Sequence, residues 1–237
     1  MKKKVQEISA IPSKRIYLSI IADYHLNLSL CELIDNAIDN WIFNGRKKRL
    51  EINIDLNYEQ QTILVSDNSG GIKEEDIGLI VGPGKSRSSK TEEIIGVFGV
   101  GSKRAVVAMS KDIKIKSRYQ NHKTLMIEID DTWIEEEDNW NIDTFEVDPI
   151  NEGSTQIHLS VLRERIAEDK HEDLLRHLGE TYALFLEQGD IEISGHYRNP
   201  EAATDDVASQ VTGVTAWDAL PQIPGEIENL QSWAWVK

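Results

Sequence analysis

The chain has 237 residues, 40% of them hydrophobic and 28% charged, which is the composition of a soluble globular protein large enough to bury a core as one domain or one domain with part of another. Its 26 Lys and Arg stand against 41 Asp and Glu, and a formal net charge of −15 argues against a surface that binds nucleic acid as a whole. No apolar run reaches the roughly 18 residues of a membrane span, and Cys31, the only cysteine, excludes an intrachain disulfide and fits a reducing, cytoplasmic setting.

The opening MKKKVQEISAIPSKR starts basic but leads into no apolar segment, so it does not read as a signal peptide. A helical stretch is predicted from about Ser13 to Phe43, with a break near Asp23 and Asn44-Gly45 as its C-cap. Within it, CELIDNAIDN at about 100° per residue puts Cys31, Leu33, Ile34, Ala37, Ile38, Trp41 and Ile42 on one apolar face. Glu32, Asp35, Asn36, Asp39 and Asn40 gather on the other side, without a base among them. The two Asn each cost roughly half a kcal/mol or more against Ala in a helix interior. A merely solvated face would mix Lys and Arg with its acids.

Next, RLEINIDLN and QTILVSD alternate as strands around a YEQQ hairpin turn. SDNSGGIKEED is a glycine-bearing loop leading into a short helix that ends at Ile80, and VGPGKSRSSKTEEIIG is a long polar loop of the kind that serves as a lid or binding loop. VFGVGSKRAVVAMS reads as a glycine-opened helix, followed by strands at KDIKIKSRY, KTLMIEID, DTFEVD and STQIHLSVL. A helix from about Glu168 to Glu187 and a strand at DIEISG close the pattern. The acidic run from Glu128 to Asp148 reads as a solvated face. The meander of strands predicts an α+β two-layer sandwich, a mixed or antiparallel sheet with helices on one face. Beyond about Asn199 the text loses its periodicity, so residues 1–195 read as one domain and 196–237 as the start of a second domain or a C-terminal extension.

Three segments carry chemistry. The first is the acidic helix. The second is Asp67-Asn68-Ser69-Gly70-Gly71-Ile72 at a strand end, which taken alone is also a plain turn. The third is Gly96-Val97-Phe98-Gly99-Val100-Gly101-Ser102-Lys103, whose glycines at a helix start leave backbone N–H groups open to an anion. Neither this segment nor GPGKSR has the spacing of a P-loop or a Rossmann turn.

Read together, Glu-x-x-x-Asn-Ala-x-Asp, Asp-x-Ser-Gly-Gly-Ile and Gly-x-x-Gly-x-Gly-x-Lys resemble the GHKL ATPase superfamily of gyrase B, heat-shock chaperones, histidine kinases and MutL. The wording ELIDNAID with GVFGVGSKRA looks closest to its MORC-like and MutL-like branches, and the resemblance covers roughly residues 10 to 195. It implies that Glu32 is the general base for the water attacking the γ-phosphate, and that Asn36 ligates Mg²⁺ through a hard carbonyl oxygen. Asp35, Asp39 and Asn40 would complete a water-mediated shell around the ion. Asp67 would accept from the adenine amino group, with Gly71 allowing close approach of the backbone and Ile72 packing on the ring. Gly96, Gly99, Val100 and Gly101 would cradle the phosphates, Lys103 would supply a countercharge, and Gly82 to Ile95, with Lys85, would be the ATP lid. Thr155 in Ser154-Thr155-Gln156-Ile157 would contact the adenine edge or its bridging water. The sequence departs from the family pattern at Ser69 and Ser154, where glycines are usual, and the Lys or Arg that such ATPases bring to the γ-phosphate from a following domain is not identifiable.

The resemblance therefore implies Mg²⁺-dependent binding and slow hydrolysis of ATP, with ADP as product, and lid closure coupled to an ATP-dependent homodimer or to clamping of a partner. An ATP-gated binding module with negligible turnover is the alternative. A histidine-kinase ATP-binding domain is a weaker reading, since those kinases need no water-activating Glu at the place of Glu32. Direct nucleic-acid binding and membrane association are not indicated. His158, His171, His177 and His196 lack metal-ligand spacing and read as surface or helix-face residues. Trp133, Trp140, Trp217, Trp233 and Trp235 read as packing, and Cys31 as an inert core residue.

Overall fold

A computed structural model of the chain describes residues 6, 13–14, 25–80, 101–136, 139–198 and 210–215. Helix α1 runs Leu26–Phe43, from an extended His25 to Asn44, whose N–H bonds Asn40 O, with Gly45 at φ +85°. The Asn-Gly pair thus ends the helix as expected, because an αL residue releases the last carbonyls from the helical path. The part of the predicted helix between Arg15 and Tyr24 lies outside the described residues, as do the lid segment and the Trp217, Trp233 and Trp235 positions. The apolar face of α1 is buried: Leu30, Cys31, Leu33, Ile34, Ala37, Ile38 and Trp41 are all at most 5% exposed.

Strands β1 (Leu50–Asn57) and β2 (Thr62–Asp67) form the expected hairpin, followed by a 3₁₀ helix Glu74–Ile80. Helix α2 (Gly101–Met109) leads directly into β3 (Ser110–Arg118), then β4 (Thr124–Asp130), helix α3 (Asp131–Glu135), β5 (Thr144–Val147) and β6 (Ser154–Leu162). After a 3₁₀ turn at Glu168–Lys170 come α4 (His171–Thr181), α5 (Ala183–Gln188), β7 (Ile191–Arg198) and β8 (Gln210–Gly213). The eight strands make one sheet in the order β5-β4-β3-β6-β2-β1-β7-β8, antiparallel throughout except for the parallel pair β1–β7. The α+β two-layer architecture is as expected. Alternation explains it: Leu50, Ile52, Ile54 and Leu56 are buried on β1 while Glu51 and Asn53 are exposed, so one face takes the helices and the other meets water. The open face carries Lys114–Glu128, an exposed ion pair at 3.4 Å.

Four features differ from the sequence reading. The single helix expected over Glu168 to Glu187 is broken at Tyr182, whose φ of −108° and ψ of 17° separate α4 from α5. Within the acidic run, Asp130 caps a short helix not foreseen, its Oδ1 accepting from Trp133 N at 2.7 Å. The described part of the run is otherwise mainly exposed, with Ile129 and Ile134 buried and Trp133 and Trp140 meeting edge to face at 6.0 Å. His171 is buried, at 7% exposure, with Nδ1 3.0 Å from Tyr58 Oη, because it opens α4 on the side packed against the β1–β2 hairpin end. Residues 210–214 return to the sheet, pairing as β8 with β7 and donating Val214 N to Ile193 O. Among the described residues no helix is long and apolar enough to cross a membrane.

Candidate functional site

The site is built from the polar side of α1 and the loop that leaves β2. Glu32 is half-buried and Asn36 exposed on α1. The Asn36 side-chain amide donates to the backbone carbonyl of Glu32, so its carbonyl oxygen is the atom directed away from the helix. One and two turns further on, Asn40 and Asn44 reach the loop. Asn40 Nδ2 donates to Ser69 Oγ at 2.8 Å and to Gly71 O at 3.2 Å, and Asn44 Nδ2 donates to Ser69 O at 3.2 Å. Asn40 thus serves the loop, and Asp35 turns elsewhere, accepting from Tyr182 Oη at 2.7 Å.

The loop is held on its other sides too. Ser69 N donates to Asp67 Oδ1 at 2.9 Å, Gly70 N to Gly153 O at 2.8 Å, and Ile72 N to Ser117 Oγ at 2.9 Å. Gly71 (φ +69°) has no room for a side chain, since an added Cβ would sit 2.1 Å from Arg118 O. Ser69, where the family pattern has glycine, is not among the positive-φ residues, so an L side chain fits there without strain.

Asp67 ends β2 in the same phase as Ile63 and Val65 and so faces the helix layer. Its pairing partner on β6 is Thr155, and Thr155 in turn pairs with Ser117 on β3. Ser117 and Thr155 are buried, with Oγ and Oγ1 3.0 Å apart. Burial pushes the Asp67 carboxyl up to about 6, a rise that the hydrogen bonds from Ser69 oppose.

The structure joins Asp67, Gly71, Ile72 and Thr155 through the loop, Ser117 and the sheet register, and Asn40 ties that loop to the helix that carries Glu32 and Asn36. Helix α2, which opens at Gly101 and includes Lys103, packs along α1. Lys85, Gly96, Gly99 and Val100 lie outside the described residues, as does the side chain of Lys103. Three contributors escaped the sequence reading: Asn44, Ser117 and Tyr182. Ser117 left a trace, being a polar residue in the buried phase of Ile113 and Ile115, whereas Tyr182 continues the apolar stripe of Leu174 and Leu178 and so reads as ordinary core.

A mixed sheet with helices on one face, whose acidic helix is tied to an Asp-x-Ser-Gly-Gly loop, is the GHKL type of ATP-binding fold. Residues 24–169, more than half of the chain, match the family of histidine kinase-, DNA gyrase B-, and HSP90-like ATPases, and the chain belongs to that family. Among curated relatives, it is 28% identical over 142 residues to the chaperone protein HtpG of Buchnera aphidicola subsp. Acyrthosiphon pisum, a match covering 50% of this chain and 23% of the relative. It is 30% identical over 94 residues to Protein MICRORCHIDIA 4 of Arabidopsis thaliana, covering 38% of this chain and 11% of that protein. The chain thus matches less than a quarter of the length of either.

Proposed function

We propose that the chain is a Mg²⁺-dependent ATPase module that binds ATP with adenine at Asp67 and phosphates toward Asn36 and Glu32, and hydrolyses it slowly. The observation that carries this reading is the pair of bonds from Asn40 to Ser69 and Gly71, because they join the acidic helix to the Asp67 loop as one site. Asp67 Oδ would accept the adenine amino proton, which guanine lacks, and Thr155 would hold the ring edge or its water. Glu32 would orient a water and take its proton as it attacks the γ-phosphate. Asn36 Oδ1 fits Mg²⁺ as a single hard protein ligand, since that ion is commonly held by one or two protein oxygens with phosphates and water. When bound, the ion would neutralise charge on the phosphates beside an acidic helix face. Gly96, Gly99, Val100, Gly101 and Lys103 would serve the phosphates, and the lid with Lys85 would close over them, coupled to homodimer formation or partner clamping. The ATP-binding unit is proposed over residues 1–195, with 196–237 a C-terminal extension that completes β7 and adds β8 to its sheet.

The test is calorimetric titration with ATP, a non-hydrolysable analogue, ADP and GTP in Mg²⁺, followed by phosphate release on the same sample. Adenine-selective binding with slow, protein-concentration-dependent turnover is expected. Binding without turnover would favour an ATP-gated interaction module, and no adenine-nucleotide binding would overturn the reading.

A further inference from the structure

Tyr182 occupies the break between α4 and α5 and is 2% exposed. From there its hydroxyl reaches α1, its one proton shared between the Cys31 carbonyl at 2.9 Å and Asp35 Oδ1 at 2.7 Å. Cys31 and Asp35 are one turn apart, and each immediately precedes a residue placed in the site, Glu32 and Asn36. Burial, with the Asp35 charge beside it, pushes the phenol far above its ordinary range, so it stays a neutral donor at all working pH values.

We infer that Tyr182 is a positioning residue that fixes the rotation of the first half of α1, as the bonds of Asn40 and Asn44 to the loop fix the second half, and thereby aims Glu32 and Asn36. This rests on the roles proposed for those two residues. The hydrophobic attraction that buries the Leu and Ile stripe is non-directional and favours no single angle by itself. A directed bond to a backbone carbonyl and a side chain of one turn fixes the angle. The lever is large: a helix rotated by about 20° carries a side-chain tip at a radius of about 5 Å through about 2 Å. A misplacement of about 1 Å in a reacting group can cost on the order of 10²-fold in rate. The break at Tyr182 fits the same role, since a straight α4–α5 helix would present that side chain differently to α1.

The test is Tyr182→Phe in the full chain, which keeps the ring and removes only the hydroxyl. At saturating ATP the turnover number is expected to fall at least tenfold, while the Kd of nucleotide without Mg²⁺ changes less than threefold. The gain in nucleotide affinity on adding Mg²⁺, read by calorimetry and independent of turnover, is expected to shrink in Tyr182→Phe. Asp35→Ala removes one of the two acceptors without touching the tyrosine and is expected to reproduce part of the defect, a smaller Mg²⁺ gain and slower turnover, which keeps the inference testable should Tyr182→Phe not fold. Normal turnover and a normal Mg²⁺ gain in the folded Tyr182→Phe protein would overturn it. If Glu32→Ala keeps wild-type turnover and Asn36→Ala keeps the Mg²⁺ gain, the site reading itself fails, a result distinct from failure of the Tyr182 role alone.

Discussion

Asp67 and Thr155 stand directly opposite one another in the antiparallel pairing of β2 and β6. Both side chains face the helix layer, and the next partner in the row, Ser117, contacts Thr155 at 3.0 Å and receives the N–H of Ile72 at 2.9 Å. A strand-end carboxylate, two hydroxyls and a glycine loop are thereby fixed relative to each other by sheet register.

Replacing the carboxylate tests the base-reading role. Asp67→Asn is expected to weaken ATP and ADP by at least tenfold, as an acceptor is exchanged in part for a donor facing the adenine amino group. Calorimetry with ATP and GTP in parallel checks it. Equal loss for both nucleotides would contradict selection of adenine by Asp67.

The raised pKa of Asp67 has a definite sign. The native state holds this proton more tightly than the unfolded chain, so the stabilising contribution of the protonated form is complete below the ordinary value of 3.8 and is lost as pH rises through about 6. Asp67→Asn is therefore expected to stabilise the ligand-free protein at pH 8 by roughly 2 kcal/mol, and to do so much less at pH 4. Denaturant melts of both proteins across this range measure the difference, which cancels the titration of groups they share.

Gly71→Ala is expected to destabilise by about 2–4 kcal/mol and to abolish nucleotide binding. A Cβ there would lie 2.1 Å from a backbone oxygen that is itself part of β3, and φ is +69°. Thermal melting and calorimetry on the same sample report the two losses. Gly189→Ala, with a similar φ of +74° but nothing within 4 Å of the added carbon, is expected to cost only about 1 kcal/mol and leave binding intact.

Glu32→Ala is expected to keep ATP binding within about threefold and lower phosphate release by about 10²-fold or more. Asn36→Ala is expected to lose the Mg²⁺-dependent part of ATP affinity while nucleotide binding in EDTA is unchanged. Turnover retained by Glu32→Ala would remove it from the role of base.

Ser117→Ala leaves the Ile72 N–H without its 2.9 Å acceptor and Thr155 without its neighbour. A loss of about 1–3 kcal/mol in stability is expected, together with a several-fold weaker Kd for ADP. A variant as stable and as tight as wild type would show that the loop is held by α1 alone.

Local patterns in the sequence determined a good deal. Strict alternation in RLEINIDLN and KDIKIKSRY marks strands because side chains change face at every residue. The i, i+4 spacing of Glu32, Asn36 and Asn40 puts them on one stripe of α1 because a turn holds 3.6 residues, and the three ordered motifs pointed to the family that the comparisons support. Tertiary structure decided which stripe residues serve what. Asn40 and Asn44 belong to the loop of Ser69, and Asp35 belongs to Tyr182, 147 positions away. It also decided that Tyr182 interrupts a helix that its own sequence would continue, that His171 is buried against Tyr58, and that Ser117 lies beside Thr155. Helix and strand periods are set by backbone geometry within a few residues and are written locally. Partners across the sheet depend on strand order and register, which minimise the free energy of the whole core and leave no mark at either residue alone.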